Sequence, residues 1–239
     1  LHIRIATVGR MTVPLYIGQT VKNGVSIDWG DGSTAETLAG TGNVNTFHTY
    51  AEPGDYVISL MPQDGCTLSL GSGSSSYCVM GSTGNNGIVY CNMLQEVYIG
   101  ENVTTINDYA FYKCYSLASI TIPTGVTSIG FNAFPYCYSL ASITIPDGVT
   151  SIGAYAFDSC YGMCYYDFSA CTAIPALSNK NAFNNIPSDC QMLIPSALFD
   201  EWSIATNWAT HASYMVAVYG GMYMIVQTTK EINGVIYSY

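Results

Sequence analysis

A 23-residue repeat in the middle of the chain constrains the fold more than any other feature. Residues 114–130 read CYSLASITIPTGVTSIG and residues 137–153 read CYSLASITIPDGVTSIG, so Thr124 against Asp147 is the one difference. A fixed period of this length is typical of a solenoid, in which similar units stack and bury their apolar side chains against each other. We therefore predict about five to six coils within residues 66–210, with irregular outer coils acting as caps.

Each coil contains three apolar segments in a fixed order. Residues 143–145 (ITI) alternate as a strand does, and the following proline ends the strand. A second apolar pair, Val149 and Ile152, comes next. The segment 156–160 (AFDSC) then predicts one or two helical turns behind the strand. The expected fold is mainly β with short helical turns. The side chains expected to be almost fully buried, coil on coil, are Ile122, Ile145, Phe134 and Phe157.

The spacing L-x-x-I-x-I-P-x-x-V-x-x-I-G-x-x-A-F-x-x-C holds over three consecutive coils. It resembles the BspA-like type of leucine-rich repeat, a bacterial cell-surface class. Residues 192–208, with their LIP and TNW sequences, are similar to the closing segment of such proteins. The resemblance implies an arc with a strand-lined concave face, no enzymatic activity, and adhesion to host or matrix proteins or to neighbouring cells. It also implies an extracellular location, at a bacterial cell surface or secreted.

Residues 1–65 contain no such repeat and have short strands separated by turns. The sequences WGDGS (29–33) and HTYAEPGDY (48–56) carry the Asp-Gly and Pro-Gly pairs that favour tight turns between antiparallel strands. Both sequences resemble PKD domains, which are immunoglobulin-like β-sandwich modules of extracellular proteins. We therefore expect a small N-terminal β-sandwich of this kind.

Two further segments fall outside the regular coils. Residues 72–87 are rich in Gly, Ser and Asn, which predicts a mobile insertion that projects from the solenoid. In residues 211–239, the stretches 222–227 and 235–239 read as strands around the turn at Asn233 and Gly234. These C-terminal strands either cap the last coil or begin a further module.

Charge excludes two classes of partner. The chain has 16 acidic residues against 6 Lys and Arg, a formal charge of −10. Nucleic acids and anionic membrane surfaces both require clustered basic residues, so we expect neither as a partner. No apolar run reaches the length of a transmembrane helix, and we expect no membrane insertion.

The nine cysteines invite a disulfide or metal interpretation. Cys91, Cys114, Cys137 and Cys160 lie at the repeat period, which favours a ladder of small buried thiols over disulfides. A zinc site would need paired Cys-x-x-Cys spacing, which is not the spacing of Cys160, Cys164, Cys171 and Cys190.

Calcium is the other metal to consider, at Asp28 and Asp31. The sequence DWGDGS lacks the EF-hand pattern, and an Asp-Gly pair commonly forms a turn held by the Asp side chain. His48 is expected to be a hydrogen-bonded structural residue. We therefore expect no metal and no cofactor.

No catalytic set is recognisable. The three histidines lack a Ser, Cys or carboxylate partner in a known arrangement, and no nucleophile elbow, zinc-protease motif or P-loop is present. This favours a non-enzymatic interaction protein that binds an extracellular protein or glycan through its solenoid. A structural spacer is the alternative, and a fragment of a carbohydrate-active enzyme is a distant third.

The candidate binding residues form two lines along the solenoid. The first follows the exposed positions of the predicted concave strand face: Glu96, Tyr98, Ser119, Thr121, Ser142, Thr144, Tyr165 and Asp167. The second, the tyrosine ladder, follows the periodic cysteines: Tyr115, Tyr138 and Tyr161. Tyrosine is a common contact residue because it offers a large surface with few rotamers to lose.

Overall fold

The computed structural model describes residues 2–7, 11–71, 77–82, 93–219, 229–232 and 235–238. Six strands come from the first 65 residues: β1 (His2–Thr7), β2 (Met11–Gln19), β3 (Val25–Asp28), β4 (Glu36–Leu38), β5 (Gly42–Tyr50) and β6 (Gly54–Pro62). The next six are β7 (Leu68–Leu70), β8 (Tyr77–Cys78), β9 (Gly81–Ser82), β10 (Leu94–Tyr98), β11 (Val103–Ile106) and β12 (Ser119–Thr121).

Short strands continue the solenoid towards the C-terminus. They are β13 (Ser128–Ile129), β14 (Ser142–Thr144), β15 (Ser151–Ile152), β16 (Tyr165–Asp167), β17 (Ala176–Leu177), β18 (Gln191–Pro195) and β19 (Met215–Val218). A separate hairpin follows, β20 (Thr229–Ile232) with β21 (Val235–Ser238). The helical elements are 3-10 helices at Lys180–Phe183, Ser196–Leu198 and Ala209–Tyr214, and one α-helix, α1 (Phe199–Ile204). No helix among the described residues is long and apolar enough to cross a membrane.

Two strands per coil build two parallel ladders, and the first ladder is divided into two sheets. Its strands β10 and β12 pair in parallel in one sheet, and β14, β16, β18 and β19 pair in parallel in the other. The second strands, β7, β11, β13, β15 and β17, form the other ladder. The mainly β repeat fold is therefore confirmed. Because β19 continues the first ladder, this ladder extends beyond residue 210, where we expected the solenoid to end.

The first six strands pair with the start of both ladders. Strand β1 lies between β6 and β10 and pairs antiparallel with each, with Ile3 opposite Ile58 and Val97. Strand β2 pairs antiparallel with β5 and β7, with Ile17 opposite Leu70. The two resulting sheets share one cluster of buried side chains with the solenoid. Residues 1–65 therefore cover the open end of the first coil, and their resemblance to a PKD module stays a prediction.

The predicted core stacks coil on coil. Ile145, Phe134 and Phe157 are fully buried and Ile122 is 7% exposed, as predicted. The phenylalanine rings form a nearly parallel column, with centroid distances of 4.9 Å from Phe111 to Phe134, 5.2 Å from Phe134 to Phe157 and 5.3 Å from Phe157 to Phe183.

The helical turns predicted at Ala-Phe-x-x-Cys are wrong for the central coils. These segments are turns whose N–H groups donate across to the neighbouring coil: Phe111 to the Ala133 carbonyl at 2.7 Å and Phe134 to the Ala156 carbonyl at 2.7 Å. An α-helix would direct those donors to its own carbonyls four residues back. Pairing between coils satisfies them, so a helix is not needed.

Close approach of the turns explains the repeated glycine. A Cβ atom at Gly153 would lie 2.5 Å from the carbonyl carbon of Gly130, and one at Gly130 would lie 2.5 Å from the Asp108 amide nitrogen. No side chain fits at these distances, so the Ile-Gly pair recurs where adjacent turns touch.

The cysteine ladder is confirmed for the described residues. Cys114, Cys137 and Cys160 are buried thiols, and the Cys137 and Cys160 thiols donate to the carbonyls of Phe111 and Phe134 at 3.4 and 3.1 Å. Burial raises the pKa of the Cys160 thiol to about 12, which leaves it protonated and unreactive. Cys91 lies outside the described residues. Cys78, in the predicted insertion, is disulfide-bonded.

The predicted projecting insertion is wrong for its described part, residues 77–82. Cys78, Val79 and Met80 are fully buried. The Val79 carbonyl accepts from the Tyr16 N–H at 2.9 Å, and the Val79 N–H donates to the Ala110 carbonyl at 2.7 Å. This segment therefore fills the seam between β2 and the first coil, because both sides offer backbone groups that need partners. The rest of the insertion lies outside the described residues.

Side chains close the other end. Trp208 donates its indole N–H to the Pro175 carbonyl at 2.7 Å, and Asn207 donates to the Leu177 carbonyl at 2.8 Å. Pro175 immediately precedes β17 and Leu177 is its last residue, and β17 is the edge strand of its sheet. The predicted strand at 222–227 lies outside the described residues, and the strand that pairs with β21 is β20.

Candidate functional site

The predicted strand face is largely exposed. Glu96, Tyr98, Ser119, Thr121 and Thr144 are exposed, and Ser142 and Tyr165 are half-buried. Because the strands are short and in register, these side chains form two rows that run along the coils.

Asp167 is the exception, and its assignment to the exposed face is wrong. It is 7% exposed, and its carboxylate accepts the Ser169 N–H at 2.9 Å. The side chain folds over the turn after β16, which removes it from the surface.

The strand face continues onto the N-terminal strands. Tyr98 is opposite His2, and His2 is opposite Ser59, so the row that holds Thr121 passes through β1 into β6. Val57 and Met61 of β6 are both exposed. A partner on this face would therefore contact residues of the N-terminal segment as well as the solenoid.

The tyrosine ladder is exposed and stacked. The ring centroids of Tyr115 and Tyr138 are 5.0 Å apart and those of Tyr138 and Tyr161 are 5.4 Å apart, with interplanar angles of 23° and 19°. Tyr161, at the end of the column, is 56% exposed. The ladder therefore stacks on itself from coil to coil.

Five further rings that sequence reasoning missed join the ladder. Phe131 makes edge contacts with Tyr109 and Tyr155, at 5.4 and 6.1 Å between centroids. Tyr136 lies edge-on to both Tyr112 and Tyr138, at 6.0 and 6.2 Å. The eight rings form one surface along the turns, which we name the aromatic turn surface: Tyr109, Tyr112, Tyr115, Phe131, Tyr136, Tyr138, Tyr155 and Tyr161.

A sequence signal for these rings exists. Tyr109, Phe131 and Tyr155 flank the same turn in successive coils, although they do not all keep the repeat register. A search for aromatic residues near the Ala-Phe pair, instead of at one repeat position, would have found them.

The turns that carry these rings have unusual backbone angles. Tyr109, Tyr136 and Tyr155 have φ values of 60°, 62° and 55°. Residues other than glycine rarely adopt this left-handed region, and Asn is the usual exception. Asn132, which is equivalent to Tyr109 one coil later, fits that preference with φ 48°.

Three hydroxyl groups of this surface have raised pKa values. Burial is the main cause for Tyr112 and Tyr138, and neighbouring tyrosines raise the pKa of each further. Burial and the nearby Asp158 raise the pKa of Tyr136. These three hydroxyls are therefore neutral hydrogen-bond donors at pH 7.

Asp28 and Asp31 form the turn that we expected. Their carboxylates accept the N–H groups of Gly30 at 2.9 Å and Ser33 at 3.0 Å. His48 Nε2 lies 2.7 Å from the Asp31 carboxylate, and its ring stacks on Trp29. Burial opposes ionisation of Asp31, but hydrogen bonds from Ser33 and His48 outweigh it and lower its pKa to about 2. This cluster holds the turn in place.

The comparisons with known proteins support the repeat assignment. Residues 82–198 match the family model described as the BspA type leucine rich repeat region, in six copies. The predicted BspA-like leucine-rich repeat is thereby confirmed over these residues. No curated protein is significantly similar to this chain.

Two solved structures are similar to part of the chain. A leucine rich cell surface protein from Faecalibacterium prausnitzii A2-165 is 30% identical over 42% of this chain and 25% of its own, with a TM-score of 0.37. A leucine-rich repeat protein from Bacteroides ovatus ATCC 8483 is 25% identical over 45% of this chain and 41% of its own, with a TM-score of 0.27. The match thus spans less than half of either protein.

Proposed function

We propose that this protein is a non-enzymatic, extracellular interaction protein of a bacterial cell surface, whose solenoid binds an extracellular protein or glycan. The observation that carries the proposal is the aromatic turn surface. Its outermost rings, Tyr138, Tyr161 and Phe131, are exposed. Exposed aromatic clusters of this kind are typical of interaction sites.

The turns suit a principal binding site better than the strand face does, because the two surfaces differ in composition. The strand face carries mainly Ser and Thr, which suit any exposed strand. The turn surface is aromatic and spans three coils, which supplies the large, rigid contact area that recognition needs.

Binding of the labelled protein to an array of extracellular matrix proteins and glycans tests the proposal. Replacing Tyr115, Tyr138 and Tyr161 together with Ala should abolish the strongest signals. The matched control is Phe47→Ala, which removes an exposed aromatic ring from the N-terminal segment. A signal that survives the triple substitution but is lost in Tyr98→Ala with Thr121→Ala would move the site to the strand face.

The second candidate function is a structural spacer. The observation that favours it is the direct pairing of β1 with β10 and of β2 with β7, which joins the N-terminal strands to the solenoid without a flexible linker. A rigid joint of this kind suits a module that holds another domain at a distance. Absence of binding to every component of the array would favour this function.

A further inference from the structure

We propose that the aromatic turn surface binds a neutral polysaccharide whose chain lies along the stack of coils. This inference rests on the proposed function and selects the class of ligand. Three properties of the surface point to it: its charge, its hydrogen-bonding groups, and the direction in which its rings repeat.

The charged side chains next to the rings already have partners. Lys113 Nζ lies 5.1 Å from the centre of the Tyr112 ring. The Asp158 carboxylate accepts from Asn184 Nδ2 at 2.8 Å and from Asn185 Nδ2 at 3.2 Å. The charges of Lys113 and Asp158 are opposite in sign, so this pair adds no net charge to the surface. The net charge of −10 also repels acidic polysaccharides, which leaves neutral ones.

The remaining groups match the chemistry of a sugar. A pyranose ring presents C–H groups on its faces and hydroxyls at its rim, so it needs aromatic contact together with hydroxyl and amide partners. Here the amide of Asn181 donates to the Tyr155 hydroxyl at 2.9 Å, which fixes an aromatic ring beside a polar group. Tyr138 and Tyr136 add protonated hydroxyls within the same surface.

The rings are arranged in lines, as a linear polymer requires. The ladder rings cover each other's faces, so a chain along the coils would meet their edges and hydroxyl groups. The ring centroids are spaced by 5.0 and then 5.4 Å, a step comparable with the length of one sugar ring. Phe131 meets Tyr109 and Tyr155 edge-on, with interplanar angles of 66° and 83°. In a T-shaped pair one ring keeps both faces clear of the other, which leaves a face for a sugar to cover.

Affinity electrophoresis with soluble polysaccharides tests the inference. We expect retardation by at least one neutral polymer among a β-1,4-glucan, an α-1,4-glucan and a β-mannan, at both low and high salt. Tyr138→Ala, which removes a ring edge and a hydroxyl, and separately Phe131→Ala, which removes a ring face, should each weaken binding by about tenfold. Phe47→Ala should leave the affinity within about twofold. Thermal midpoints close to that of the unsubstituted protein would show that the variants fold.

Several outcomes would overturn the inference: no retardation by any of the neutral polymers, retardation by polygalacturonate alone, or equal weakening by Phe47→Ala. Its failure is distinguishable from failure of the proposed function. If the array shows a protein ligand that is lost with Tyr138→Ala, the proposed function stands and the polysaccharide is wrong. If neither array nor gel shows binding, both proposals fail.

Discussion

The carboxylate of Asp147 accepts two hydrogen bonds from Thr172, one from its backbone N–H at 2.6 Å and one from its hydroxyl at 2.8 Å. Asp147 is the one residue by which residues 137–153 differ from residues 114–130, where Thr124 takes its place. Thr172 lies 25 residues after Asp147, whereas the repeat period is 23 residues. Asp147 therefore marks the coil at which the repeat becomes longer.

This pair predicts a loss of stability in acid. The backbone and side-chain bonds from Thr172 lower the pKa of Asp147. A carboxyl group with a lowered folded pKa stabilises the protein above its unfolded pKa of about 4, and this contribution is lost as the pH falls through the folded value. Asp147→Thr should therefore lower the denaturant midpoint at pH 7. Near pH 2 the midpoints of the variant and of the unsubstituted protein should be closer to each other. Thr124→Asp is the matched control, and an equal effect there would contradict the pairing.

Truncation of the core should be costly. Ile145 is fully buried in the middle of the solenoid, so Ile145→Ala should lower the free energy of unfolding by roughly 2–5 kcal/mol. Thr144→Ala, at the exposed neighbouring position, should change it by about 0.5 kcal/mol or less. Chemical denaturation measures both, and an unchanged midpoint for Ile145→Ala would refute the stacked core.

Thiol titration checks the cysteine assignment. Among the described cysteines, seven carry thiols and Cys78 is disulfide-bonded. A disulfide uses two cysteines, so the denatured, unreduced protein should react at seven of its nine cysteines. In the native protein, Cys114, Cys137 and Cys160 should react far more slowly, because burial raises the pKa of each thiol. Recovery of a single thiol on denaturation would show that the ladder is oxidised.

Removal of residues 1–65 should destabilise the solenoid. The deletion exposes the edges of β10 and β7, which now pair with β1 and β2. Unpaired edges and an uncovered apolar end favour aggregation. We expect the whole chain to unfold in one cooperative transition and the shortened chain to associate, as measured by calorimetry and light scattering. A monomeric shortened chain with an unchanged midpoint would show that the two parts fold independently.

The local periodicity of the sequence was enough to predict the coils. Ile145, Phe134 and Cys137 recur at a fixed spacing, and in a stacked repeat every equivalent residue meets its own copy, so their burial follows from the period alone. The exposure of Tyr98 and Thr121 follows in the same way from strand alternation. The turn at Asp31 could be predicted because its hydrogen bonds are made within a few residues.

Only the tertiary structure decided the contacts between distant residues. The pairing of Ile3 with Val97 joins two strands that share no pattern, and no local preference selects it over other edges. Asp167 is buried by its own turn against the alternation of its strand. Turns replaced the predicted helices at Phe134 because the neighbouring coil supplies its hydrogen-bond acceptor. The aromatic turn surface arises for the same reason: stacking brings Tyr109, Phe131 and Tyr155 together, whereas their spacing in the sequence is irregular.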